Sequence, residues 1–169
     1  MDTSDFSDAI ALLKADHREV EDLFAQYESA REGKKRVLAE QICTSLKIHA
    51  MIEEEIFYPS LRGEIEQDLL NEAHVEHDGA KLLINDIMAS AEIDDLVDAK
   101  VKVLSEEIKH HVSEEEARSD GIFAQARKAG VDLVELRDQL AMRKAELQQL
   151  AADRGLPPAE MQVVQQASA

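Results

Sequence analysis

The sequence predicts an all-α fold: an up-down-up-down antiparallel four-helix bundle with an additional C-terminal helix. Three observations carry this expectation. Apolar residues recur at steps of three and four over four long stretches, the spacing of a single helix face. Tryptophan is absent and only six Gly and three Pro interrupt 169 residues, a composition that favours helices over strands. The polar breaks between the periodic stretches are short, and short connections make neighbouring helices antiparallel.

The first helix starts at a cap near Ser7 or Asp8 and turns Ile10, Leu13, Val20, Phe24 and Tyr27 inward, with His17 completing the series. The REGKK turn around Gly33 ends it. A second helix runs from about Lys35 to Tyr58, with Val37 or Leu38, Ile42, Leu46, His49, Glu53 and Ile56 inward, and Pro59 stops it. After Gly63 a third helix covers about Ile65 to Ala91. Its inward stripe is Leu69, Leu70, Ala73, His77, Ala80, Ile84, Ile87 and Met88, and His74 borders it. The EIDD turn leads to a fourth helix, about Leu96 to Glu116, where Val97, Val101, Leu104, Ile108, His111 and Glu115 repeat without a break. Residues 119–130 are less regular, punctuated by Gly121 and Gly130. Leu133 to Ala152 reads as a fifth helix, packed either on the bundle or on another subunit. Residues 1–152 thus form one domain, with the bundle over about 8–118 and the extra helix over about 131–152. Residues 153–169, which include Pro157 and Pro158, are expected to be a flexible tail.

Composition narrows the function. The formal charge of −17, from 19 basic against 36 acidic residues, repels nucleic acid and anionic membranes, so neither is expected as a partner. The single cysteine, Cys43, excludes an internal disulfide and fits a reducing compartment; beside Ile42 and Leu46 it reads as a small buried apolar side chain. The MDTSDFSD start lacks the features of a secretory signal, and no stretch approaches the roughly 20 apolar residues of a membrane span. A cytoplasmic monomer or homodimer is expected.

The stretch IHAMIEEEIFYP places His49 and Glu53 four residues apart on an otherwise apolar face, and HHVSEEE repeats the spacing at His111 and Glu115. A buried carboxylate without a partner is costly, and a metal cation is the simplest remedy. Helix arithmetic supports one common layer. His17 and His49 lie sixteen residues either side of Gly33, and His77 and His111 seventeen either side of Asp94. Glu53 lies ten residues before Gly63, while His74 and His77 lie eleven and fourteen after it. At about 1.5 Å per residue these groups fall within one or two helical turns of a common plane. The candidate metal ligands are therefore His17, His49, Glu53, His74, His77, His111 and Glu115. Six or seven nitrogen and oxygen donors exceed the four of a structural zinc and suit two ions; with no thiolate, iron, manganese or zinc are all admitted. His110 is expected at the surface, Glu54, Glu55, Glu114 and Glu116 in solvent, and Tyr58 either in the core or at the site edge. No catalytic Ser-His-Asp set, Cys-x-x-Cys pair or phosphate loop is present.

The order His, His-x-x-x-Glu, His, His-x-x-x-Glu, at His17, His49/Glu53, His77 and His111/Glu115, resembles the hemerythrin-like family with the HHE cation-binding domain. The resemblance implies a cofactor of two iron ions in an oxo- or hydroxo-bridged centre, with the glutamates bridging, histidines in terminal positions and one open position for a small molecule. True hemerythrins carry His-x-x-x-His on the third helix and an aspartate on the fourth; here His74 and His77 are three apart and Glu115 stands in the aspartate's place. The implied function is binding or sensing of dioxygen, nitric oxide or iron. The alternative is an enzyme that decomposes peroxide or other reactive oxygen or nitrogen species, or an iron buffer, so whether the protein is an enzyme stays open.

Overall fold

Asp8 begins the first helix by accepting from Ala11 N–H at 2.9 Å, and α1 runs over Ala9–Ser29. In the computed structural model, which describes residues 6–165, α2 follows over Glu32–Ile52. The helix then widens. Glu53–Phe57 form a π turn, with Tyr58 N–H donating to Glu53 O, and α3 continues over Tyr58–Leu61. Pro59 therefore does not stop the second helix at Tyr58, as its lack of an N–H suggested. The π turn restarts the register, so Pro59 falls in the first turn of α3, where a missing donor is tolerated.

Gly63, at φ +78, makes the turn to α4, Gln67–Ala89. Asp94 caps α5, Asp95–Glu115, by accepting from Val97 N–H at 2.8 Å. The irregular stretch after it holds a short helix, α6, Ile122–Ala129, and Asp132 caps the long α7, Leu133–Arg154. A Cβ on Gly121 would lie 2.6 Å from Glu114 O and 2.7 Å from Glu115 O, so α6 starts hard against the end of α5.

The buried apolar residues form two clusters. One gathers Leu12, Leu13, Ile52, Phe57, Leu61, Leu70 and Phe123 with Leu140 and Leu147 of α7, which fixes α7 on the bundle. The other gathers Val20, Phe24, Ile42, Leu46, Ile84, Val101 and Leu104. Cys43 lies in the second, where burial pushes its thiol up to about 12, an inert side chain. Not every expected inward position is fully buried. Ile56 is half-buried while Phe57 is fully buried, because the π turn rotates the residues after Glu53. Met88 is 40% exposed at the end of its helix, and of Val37 and Leu38 it is Leu38 that packs inward, Val37 being 56% exposed. The described part of the tail runs back over the bundle, where Leu156 O accepts from Lys47, Ala159 pairs with Asn85, and the N–H groups of Gln162, Val163 and Val164 donate to Asp78. Among the described residues no helix is long and apolar enough to cross a membrane.

Candidate metal centre

Between the two apolar clusters lies one polar layer. His17 Nε2 and His49 Nε2 face each other at 3.1 Å, and His77 Nε2 and His111 Nε2 do the same at 3.1 Å. These are the two pairs that the turn arithmetic levels. Glu53 sits between them, Oε1 at 3.2 Å from His49 Nε2 and Oε2 at 3.3 Å from His77 Nε2. Glu115 Oε2 lies 3.4 Å from His17 Nε2 and 3.6 Å from His111 Nε2. Two sets of donors result: His17, His49, Glu53 and Glu115, and Glu53, His77 and His111.

His74 does not join either set. Three residues before His77 puts it about 60° round the helix and about 4.5 Å along its axis, and there it meets the edge of the Tyr58 ring at 5.5 Å. Tyr58, turned inward by the π turn, reaches the layer itself: its hydroxyl donates to Glu115 Oε1 at 2.6 Å and lies 3.3 Å from Glu53 Oε2 and 3.4 Å from His77 Nε2.

Each histidine has a second partner at its other nitrogen. His49 Nδ1 meets Asp16 at 3.2 Å, His77 Nδ1 meets Glu54 at 3.0 Å, His111 Nδ1 meets Glu76 at 2.6 Å, and His17 Nδ1 meets Glu116 at 2.7 Å. The supporting carboxylate always comes from the preceding helix, α1 to α2, α2's π turn to α4, α4 to α5, and the end of α5 back to α1, so the four bonds close a ring. Glu54 and Glu116 are thus not solvated as expected; their side chains are 7% and 20% exposed. Nor does spacing single them out, although Asp16, Glu54, Glu76 and Glu116 each adjoin an inward His or Glu in sequence. The fifth long helix contributes Lys144, which donates to Asp16, and α6 contributes Phe123, stacked on His17 at 5.9 Å.

A carboxylate only accepts, so in a neutral ring the supported Nδ1 carries the proton and Nε2 presents a lone pair. Four Nε2 atoms then converge with no donor among them, beside Glu53 Oε1 and Glu115 Oε2, which are buried without a hydrogen-bond partner. That set of six fits cations. Without them protons take the same role. Burial opposes charge on His49, but Glu53 and Asp16 raise it well above the ordinary imidazole value. Burial likewise opposes charge on His77, and hydrogen bonds to Glu53 and Glu54 push it up to about 9. Glu53 moves the opposite way: burial would raise it, yet His49 and His77 hold it well below the usual carboxylate range.

A cavity of about 30 Å³ adjoins the layer, lined by the four histidines and by Val20, Leu46, Ala50, Ala80 and Ile84. The family model described as hemerythrin HHE cation binding domain matches residues 8–118. The chain belongs to this family. An HHE domain-containing protein from Mycobacterium kansasii, solved by crystallography, superposes with a TM-score of 0.73 over 89% of this chain and 96% of its own, at 19% identity, which is a likeness of fold. No curated protein matches the sequence. The HHE match ends before α6 and α7, the two elements that bring Phe123 to His17 and Lys144 to Asp16.

Proposed function

We propose that this HHE domain is a non-haem di-iron protein that binds or senses a diatomic molecule, dioxygen or nitric oxide. The cavity carries the reading. A water needs at least about 10–15 Å³ of such space, so about 30 Å³ holds a diatomic and little more. Apart from the histidines, Asp16 and Lys81, which are tied up in ion pairs with Lys144 and with Glu54 and Asp78, its walls are apolar, which favours a small uncharged guest. His17, His49, Glu53 and Glu115 would hold one ion, and His77 and His111, with Glu53 shared, the other; His74 has no part in it. Ferrous ions held there would supply the electrons that bind either gas. The chain's own part is to fix each imidazole by a carboxylate at Nδ1, to aim Nε2 into the layer, and to keep bulk water out with apolar clusters above and below.

One observation favours a second reading, an enzyme that decomposes peroxide. The Tyr58 hydroxyl, within reach of Glu53, Glu115 and His77, is a hydrogen-bond donor inside the layer that could hand a proton to a bound peroxide.

The deciding experiment is anaerobic ferrous loading with elemental analysis, followed by absorption spectra under dioxygen and nitric oxide. Two irons per chain and a new band with either gas are expected. A single ion, or spectra indifferent to both gases, overturns the reading. Peroxide turnover that vanishes in His111→Ala would favour the enzyme instead.

A further inference from the structure

Beyond α7 the chain is held chiefly through backbone groups. Lys47 Nζ donates to Leu156 O at 3.3 Å, and Asn85 and Ala159 exchange two hydrogen bonds at 2.9 and 2.8 Å. The fully buried Asp78 carboxylate accepts from the N–H groups of Gln162, Val163 and Val164 at 2.7 to 3.0 Å. Lys47 belongs to α2, and Asp78 and Asn85 to α4. The segment therefore bridges these helices behind the wall of Leu46, Ala50, Ala80 and Ile84 that bounds the cavity. Val163 and Val164 are 52% and 37% exposed, so the far end of the segment rests on its bonds to Asp78, while Leu156 packs against the apolar cluster beside α7. A hold made mostly of hydrogen bonds from an exposed backbone opens at less cost than the packed helices.

From Asp78 the bonds lead inward. Asp78 Oδ1 accepts from Lys81 Nζ at 3.2 Å, Lys81 Nζ pairs with Glu54 at 2.7 Å, and Glu54 Oε1 meets His77 Nδ1 at 3.0 Å. Lys81 is 4% exposed and itself lines the cavity. A continuous line of charged partners joins the tail backbone to one of the four imidazoles.

We propose that residues 156–164 form a releasable latch that, through Asp78, Lys81 and Glu54, fixes the His77 ring and closes the α2–α4 side of the cavity. The regulatory sense of this rests on the cavity being the small-molecule site. The mechanical linkage does not. With the latch engaged, Asp78 has four donors and Lys81 is shared between Asp78 and Glu54. On release the three N–H donors leave, the Asp78 charge draws Lys81 toward itself, and Glu54 and His77 lose their bracing. The α2–α4 wall then loosens toward incoming ions and gases.

Val163→Pro and Ala159→Pro in the full chain test this, since each deletes one tail N–H, to Asp78 and to Asn85 respectively, and leaves every bundle residue unchanged. In the metal-free wild type the amides of Gln162 and Val164 are expected to be protected from exchange. In Val163→Pro they exchange roughly tenfold faster or more, the factor for losing a bond to a charged group, and in Ala159→Pro, which loses a bond to a neutral amide, they exchange faster by less. The His77 Nδ1–H resonance shifts and broadens, while that of His17 stays in place. Unprotected tail amides in the wild type overturn the latch, and an unmoved His77 resonance in a chain with loosened tail amides overturns the linkage. Cobalt(II) uptake, followed by absorption, separates the two readings: uptake several-fold faster in the variants supports both. A chain that binds no cobalt sinks the metal centre, and the His77 resonance still decides the latch.

Discussion

Glu116 accepts from His17 Nδ1 at 2.7 Å, joining the end of α5 to the middle of α1 and closing the ring of carboxylates around the four imidazoles. Partners of this kind fix the tautomer and strengthen the donor, and their loss typically costs 10- to 100-fold in metal affinity. Glu54→Gln and Glu116→Gln should each weaken binding by about that factor in chelator competition. Glu55→Gln, which removes only an exposed pair with Arg143, should leave it unchanged. Affinities equal across all three variants would show that the ring does not support the metal.

Glu53 belongs to both donor sets, whereas each histidine belongs to one. Glu53→Ala is therefore expected to reduce metal content toward zero, and His77→Ala toward half of the wild-type value. Unchanged stoichiometry in Glu53→Ala by elemental analysis would refute the shared role.

The Tyr58 hydroxyl is the one neutral donor offered to the two buried carboxylates. Tyr58→Phe should destabilise the metal-free protein by about 1.5–3 kcal/mol, the range for a hydrogen bond to a charged group. Bound cations take over part of that task, so the metal-dependent gain in Tm should be larger in the variant than in the wild type. An equal gain would place Tyr58 outside the electrostatics of the layer.

Gly121 leaves no room for a side chain against Glu114 O and Glu115 O. Gly121→Ala must push α6 away from the end of α5, at a cost of about 1–3 kcal/mol. Because Glu115 and Glu116 sit at that end, thermal unfolding and metal affinity should both suffer. A change in one alone would separate packing from ligand placement.

Far from the layer, Asp98 pairs with Lys35 at 2.6 Å and accepts from Tyr27 at 2.7 Å. Partial burial would raise its carboxyl, but these two partners outweigh that and hold it below the ordinary 3.8. A lowered value in the folded state means stability that is present above the ordinary value and lost as pH falls through the lowered one. The Tm deficit of Asp98→Asn should thus be largest above ~pH 5 and shrink steadily on acidification below ~pH 4. A deficit constant with pH would assign the loss to packing.

Much of the fold was legible because bundle helices repeat at 3.6 residues, and the level pairs His17/His49 and His77/His111 emerge from counting about the turns. The π turn was not, since apolar spacing continued through it and pointed to Ile56 where the widened turn buries Phe57. Nor was the ring: in EEE at 53–55 three identical side chains point into the layer, onto His77 and toward Arg143, and only the angle of each differs. The docked tail left no trace because Asp78 grips peptide N–H groups, which every residue but proline carries.

The two apolar clusters stand on either side of the histidine and glutamate layer, and that governs how the protein melts. Stripped of ions, the molecule has a charged waist where a single continuous hydrophobic interior would otherwise make unfolding all-or-none. Either half can then loosen while its neighbour persists. Cations at the waist rivet the halves together, so metal loading should sharpen the thermal transition as well as raise its midpoint.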